Sequence, residues 1–264
     1  MSERATRLCV AFFAGMLWIG AAAAAAPVPE DPAVATALDA AFASPDRPKA
    51  DAEQDARRHS RAVLAFLGAR PGMRVIDVFS AGGYNTELLA RTVGAKGMVI
   101  AYNNPAYATF AAKGIAERYA SGRLGNVRQV TAEVDELDLG PASLDAALFV
   151  MSYHDAYWRP KDGSFDKTDP RELLARLFKA LKPGGVVVVQ DHVANSGHEP
   201  QQDAEIHRID PARVKRDFEQ AGFVFDASSG VLAEPADDHT KVVFDESVRG
   251  RTDQFVYRFL KPAA

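Results

Sequence analysis

The sequence predicts an α/β protein with a doubly wound, mostly parallel, seven-stranded sheet and capping helices ahead of it. Three observations predict this. Apolar strand-like runs at 73–79, 98–103, 127–133, 144–151 and 185–191 alternate with helical spacing at 84–93, 107–120, 170–181 and 210–221. A crossover helix between two strands returns the chain in the same direction, so this rhythm builds a parallel sheet with helices on both faces. After Gly222, the segments Phe223 to Val231 and Gln254 to Leu260 add two further strands.

The N-terminus reads as an address. Arg4 and Arg7 precede an apolar stretch from Leu8 to Ile19, and an alanine tract from Ala21 to Ala26 leads into Pro27. This fits a cleavable signal peptide over 1–26, with an Ala-x-Ala site near Ala24–Ala26. The alternative is a membrane anchor, but a span needs about 20 predominantly apolar residues and this core is shorter. The expected location is periplasmic or secreted, with no membrane contact after cleavage. Cys9 is the only cysteine and lies inside this segment, so thiol catalysis and disulfides are excluded from the mature chain.

Residues 27–70 read as N-terminal capping helices. Asp31 to Phe42 places Val34, Leu38 and Phe42 on one helical face. Ser44-Pro-Asp-Arg-Pro48 is a loop, and Ala50 to Leu67 reads as a second helix stopped by Gly68 and Pro71. The main α/β domain is expected over 71–264. Pro183-Gly184-Gly185 ends the 170–181 helix ahead of Val186-Val-Val-Val189. Asp210-Pro211 is an N-cap followed by proline in the first helical turn.

Composition bounds the function. The chain has 264 residues, 47% hydrophobic and 25% charged, with a formal net charge of −4. That suits one large globular domain. It shows no basic stripe interleaved with aromatics, so nucleic acid is not an expected partner and a small molecule is.

The chemistry sits at strand tips. Ligands of open parallel sheets bind outside the carboxyl ends of the strands. There, Val75-Ile-Asp-Val-Phe-Ser-Ala-Gly-Gly-Tyr-Asn-Thr-Glu87 forms a strand, a tight turn and a helix start. Such a junction offers backbone N–H groups to a ligand. The fourth strand ends in Met151-Ser-Tyr-His-Asp-Ala-Tyr-Trp158, and the fifth in Gln190-Asp-His192. His154 is a candidate general base, because an imidazole titrates near working pH, and Asp155 or Asp191 is its orienting partner. His192 and His207 complete the candidate catalytic set. Tyr153, Tyr157, Trp158 and Arg208 are candidate substrate contacts. Imidazole and carboxylate ligands from His154, Asp155, Asp191, His192 and His207 also suit a divalent metal, with His154, Asp191 and His192 as the candidate set. A hydrogen-bonded polar rim without metal accounts for the same residues. Arg249 and Arg251 can clamp an anionic substrate, or belong to a solvated loop.

The glycine turn, preceded by Arg70-Pro-Gly-Met-Arg74, resembles the first motif of class I S-adenosylmethionine (SAM)-dependent methyltransferases. Leu181-Lys-Pro-Gly-Gly185 resembles that family's motif before strand five. Several phrases resemble a subgroup of extracytoplasmic proteobacterial members: Phe79-Ser-Ala-Gly-Gly-Tyr84, Tyr102-Asn-Asn-Pro-Ala106, Tyr153-His-Asp155, Asp191-His192, His207-Arg-Ile-Asp210, Pro235-Ala-Asp-Asp-His239 and Arg249-Gly-Arg-Thr-Asp-Gln254. The resemblance covers roughly 44 to 262. It implies a last strand pair with one antiparallel member, SAM as cofactor, and methyl transfer to an unspecified small molecule. It assigns Asp77 to the turn and the cofactor's ammonium group, with Gly82 and Gly83 against its methionine part. Glu133, followed by Val134, aligns with the acid that meets the adenine amino group. The chain departs from the family's D-x-G-x-G-x-G pattern: Phe79 and Ala81 replace the first two glycines. Asn103 and Asn104 stand where an acid usually holds the ribose hydroxyls. In catechol O-methyltransferase-like members, metal ligands occupy the same two strand tips. A non-catalytic periplasmic binding protein on this fold is the alternative.

Overall fold

The computed structural model describes residues 31–263. The signal peptide expected over 1–26 lies outside the described residues. Seven strands form one sheet: β1 (Arg74–Val78), β2 (Met98–Asn103), β3 (Val127–Thr131), β4 (Leu144–Val150), β5 (Leu181–His192), β6 (Val224–Ser229) and β7 (Gln254–Leu260). Their spatial order is β3-β2-β1-β4-β5-β7-β6. β1 pairs in parallel with β2 and β4, β2 with β3, and β4 with β5, while β7 runs antiparallel to both β5 and β6. The sheet is therefore mixed, with β7 as its reversed strand. Strand order turns back at β1, where β2 lies to one side and β4 to the other. That is the switch point at which open α/β sheets bind ligands.

Two apolar layers cover the sheet. Ile76, Val78, Phe149, Leu174, Leu177, Phe218 and Phe259 share one face. Val75, Leu148, Val188 and Val256 share the other with Leu38, Leu64, Leu88 and Leu89. Neighbouring residues on β1 fall into different layers because strand side chains alternate. The helices Pro32–Phe42 and Ser60–Leu67 supply the second layer's outer wall. Each buried leucine there contributes roughly 1.5–3 kcal/mol by leaving water. Among the described residues, no helix is long and apolar enough to cross a membrane.

The elements differ from expectation in four places. The helix expected over 50–67 is three pieces, Lys49–Ala52, Asp55–Arg58 and Ser60–Leu67, with left-handed His59 (φ 48°) at the last break. The helix expected over 107–120 starts earlier and divides into Pro105–Phe110 and Ala112–Arg118. Asn104 caps its start: the Tyr107 N–H donates to Asn104 Oδ1 at 2.8 Å. β3 stops at Thr131, so Glu133 stands just before a 3₁₀ turn, Val134–Glu136. β5 begins at Leu181, and its register shifts between the Leu144 and Ala146 pairings, which absorbs the Pro-Gly-Gly stretch.

Candidate active site

The turn after β1 keeps a left-handed backbone without most of its glycines. Phe79, Ala81 and Gly83 have φ of 54°, 46° and 81°. A residue with a Cβ pays of order 1–2 kcal/mol for that conformation, so the surroundings must impose it. Asn103 does so. Its Oδ1 accepts from the Ala81 N–H at 2.9 Å, and its Nδ2 donates to the Ala81 carbonyl at 3.2 Å. Phe79 stacks on Tyr107 with centroids 5.1 Å apart and planes 4° apart. Gly82 faces Gly114 of the next helix so closely that a Cβ on Gly114 would sit 3.3 Å from Gly82 Cα. Arg118 Nε donates to the Gly82 carbonyl at 2.6 Å.

Asp77 lies beneath this turn, 2% exposed. Among the described residues its side-chain partner is Thr86, whose hydroxyl donates to Oδ2 at 2.6 Å. Burial raises its pKa to about 7, and the Thr86 bond only partly opposes that. The buried Ser80 hydroxyl has no partner among the described residues.

A cavity of about 1330 Å³ is lined by Asp77, Phe79, Ala81, Gly82, Gly83 and Glu133 from the expected cofactor set. His154, Asp155, Trp158, His192 and His207 line the same cavity. The turn and the histidine rim therefore share one space. Sequence reasoning missed other walls: Arg58, Tyr84 and Arg118 from the helical side, and Phe110, Phe165, Val243 and Phe244 as apolar walls. Only the apolar character of the last four was visible in the sequence.

The rim is a compact array. His154 is buried, with Nδ1 2.8 Å from Asp191 Oδ1. The His154 N–H also donates to Asp191 Oδ2 at 3.0 Å. His154 Nε2 stands 3.2 Å from His207 Nδ1 and 3.4 Å from Asp155 Oδ1. The Tyr107 hydroxyl donates to Asp155 Oδ2. Burial disfavours charge on His154, but Asp155 and Asp191 outweigh it and raise its pKa to about 9. Both ring nitrogens are engaged within the rim, Nδ1 by Asp191 and Nε2 by His207 and Asp155. Burial lowers His207, helped by the charge on His154. Burial takes His192 down to about 4, and its Nδ1 is 2.8 Å from Thr252 Oγ1.

Several expected contacts lie elsewhere. Asn103 is spent on Ala81, and fully buried Asn104 on Tyr107 and on Thr168 (Nδ2 to Oγ1, 3.1 Å), so neither side chain takes the ribose position. Val134 is a core residue. Tyr153 and Tyr157 both donate their hydroxyls to Asp217 Oδ2, pointing into the other side of the segment. Arg208 is fully buried, with Nη1 and Nη2 donating to the two Asp237 oxygens at 2.8 and 3.1 Å. Its remaining bonds go to the Val193 and Lys241 carbonyls. Neither Arg249 nor Arg251 lines the cavity. The metal set His154, Asp191 and His192 does not converge, because Asp191 sits behind His154 and His192 turns to Thr252. Asp210 is the N-cap expected, accepting from the Ala212 N–H at 2.8 Å.

The residues present fit SAM at three points. Among the described residues Asp77 is a buried carboxyl group with no cationic partner and Ser80 an unpaired hydroxyl in the turn, and Glu133 lines the same cavity. The ribose contact expected of an acid is not reproduced by Asn103.

No protein-family model matches the chain. It is 30% identical over 134 residues to the ubiquinone/menaquinone biosynthesis C-methyltransferase UbiE of Idiomarina loihiensis, covering 50% of this chain and 48% of that one. The chain spans about half the length of the curated relatives it matches. A SAM-dependent methyltransferase from Aquifex aeolicus superposes with a TM-score of 0.56 at 18% identity, covering 81% of this chain and 95% of the other. Phosphoethanolamine N-methyltransferase 2 of Haemonchus contortus, in complex with SAM, gives 0.54 at 15% identity over 77% of this chain and 52% of its own. The chain therefore has the fold of SAM-dependent methyltransferases.

Proposed function

We propose that this protein transfers a methyl group from SAM to a small molecule seated between the turn after β1 and the histidine rim. One observation carries the reading: the cavity lined by Asp77, Gly82, Gly83 and Glu133 is also lined by His154, Asp155 and His207. When bound, SAM supplies an electrophilic methyl group on a sulfonium. Asp77 meets the positive end of the methionine part, and Glu133 accepts from the adenine amino group. Trp158, Phe165, Val243 and Phe244 exclude water and favour an acceptor with an apolar body. Holding donor and acceptor in line supplies most of the rate, since displacement at a methyl group asks chiefly for alignment. His154, fixed by Asp191, is a positioning residue that holds Asp155 and His207 in place.

Isothermal titration with SAM and its demethylated product tests this. Binding of either, weakened at least tenfold in Glu133→Ala, is expected. Absence of binding by both would overturn the reading. Export belongs to the same proposal. The mature N-terminus recovered from an extracytoplasmic fraction should begin close after Ala26, and an uncut chain in the cytosol would count against it.

A further inference from the structure

We propose that His154, Asp155 and His207 form a divalent-metal site of tetrahedral type, suited to zinc or cobalt, opening into the cavity. This goes beyond the methyl-transfer reading: metal binding does not depend on it, and only the use of the fourth position rests on it. Three ligand atoms converge at the edge of the cavity that their residues line. His154 Nε2 and His207 Nδ1 are 3.2 Å apart, His154 Nε2 and Asp155 Oδ1 3.4 Å, and His207 Nδ1 and Asp155 Oδ1 3.9 Å. Two ligands at tetrahedral angles on bonds of about 2.1 Å stand about 3.4 Å apart. Octahedral neighbours on the same bonds would stand about 3.0 Å apart. Two of the observed edges lie near the first figure and the third, at 3.9 Å, is longer, and a point just off the plane of this triangle lies about 2.1 Å from all three atoms.

The outer atoms are arranged as ligands require. A metal-bound imidazole ordinarily gives its second N–H to a carboxylate, which fixes the ring. His154 Nδ1 has Asp191 Oδ1 at 2.8 Å for this. The free oxygen of Asp155 is held by the Tyr107 hydroxyl. His207 reaches its place from a left-handed backbone, φ 56°, a strained conformation for a residue with a side chain. Its ring is wedged against Trp158 and Phe244, with centroids at 5.8 and 4.8 Å.

Charge points the same way. Asp155 and Asp191 are buried at the two ring nitrogens of His154, and among the described residues no lysine or arginine pairs with either. A divalent cation that takes the place of the proton on His154 Nε2 offsets both. Two nitrogens and one oxygen select a transition metal or zinc over magnesium or calcium. The fourth position, on the cavity side, admits an oxygen or sulfur atom of the acceptor. Coordination lowers that atom's pKa, so its proton leaves to solvent and the anion meets the methyl donor.

The test uses tag-free protein stripped with chelator and titrated with Co²⁺. Metal content is read by mass spectrometry of the gel-filtered protein, and geometry by visible absorption. One Co²⁺ per chain with an intense tetrahedral spectrum is expected. His207→Ala and Asp155→Asn should each weaken binding at least tenfold, while His198→Ala, outside the rim, should not. His207 is partly exposed, so its replacement should leave the fold intact. His207→Cys, which keeps a ligand, should still bind and add a sulfur-to-metal charge-transfer band. A protein that stays metal-free at saturating Co²⁺, or variants that bind like the wild type, would overturn the site. SAM titration of the same stripped sample separates the two proposals. Binding of SAM without metal sinks only the metal site, and binding of metal without SAM sinks only the methyl-transfer reading.

Discussion

Asn103 holds Ala81 by both ends of its amide, accepting from the N–H at 2.9 Å and donating to the carbonyl at 3.2 Å. The side chain acts as a short piece of strand laid against the turn. It secures a left-handed alanine that would otherwise relax. Asn103→Ala should cost about 1–3 kcal/mol, because two part-buried backbone groups lose their partners. Asn103→Asp should also destabilise, since a carboxylate cannot donate to the Ala81 carbonyl. Urea unfolding of both variants checks this, and a midpoint unchanged in Asn103→Asp would remove the amide's special role.

Asp77 makes stability depend on pH in a stated direction. Its folded pKa, about 7, lies above the ordinary value of 3.8. A raised carboxyl pKa means that the unfolded state gives up its proton first. Stability should therefore fall as pH rises from about 4 to 7 and level off above, by at most about 1.4 kcal/mol per pH unit from this group. Melting temperatures of wild type and Asp77→Asn across that range isolate the contribution, and the variant should lack it. SAM, bringing positive charge to Asp77, should bind more tightly at pH 8 than at pH 6.

Glu87 shows the opposite sign. It is fully buried among Arg91, Arg118 and Arg123, which donate to its two oxygens. Burial works against its charge, yet these bonds lower its pKa to about 2. Its contribution is present above about pH 4.5 and lost as pH falls towards 2. Glu87→Gln leaves three guanidinium groups without their carboxylate and should cost about 3–5 kcal/mol. Since Arg118 also holds the Gly82 carbonyl, weaker cofactor binding should accompany the loss.

Arg208→Met separates structure from substrate contact. The buried pair with Asp237 ties the 206–210 segment to the loop before β7. Removing one partner should cost about 3–5 kcal/mol. SAM affinity of the folded variant should stay within about twofold, because Arg208 does not reach the cavity. A variant of normal stability with selectively impaired turnover would restore Arg208 to the substrate.

The strands were legible because parallel strands buried on both faces read as continuous apolar runs, as in Val186-Val-Val-Val189. The turn was legible because it is local, and Asp77 and Glu133, read from the same local stretches, line the cavity. What failed depends on partners far along the chain. Arg208 looked available until Asp237 came beside it, and Tyr153 and Tyr157 looked like pocket walls until Asp217 received them. Asn103 and Asn104 are neighbours in sequence with separate tasks, one on the turn and one on a helix start. The break near Ala111 has no proline to announce it; a close backbone approach between Gly82 and Gly114 accompanies it.

The segment from Tyr153 to Trp158 divides its labour by direction. Tyr153 and Tyr157 are anchored to one carboxylate on the 211–220 helix, while His154 and Trp158 look into the cavity. For an engineer this is a convenient partition. Trp158 can be randomised to recruit new acceptors without loosening the anchor that aims His154. Conversely, Asp217 becomes a remote trim screw, where a small change in one surface helix would retune the chemistry without altering any residue the acceptor touches.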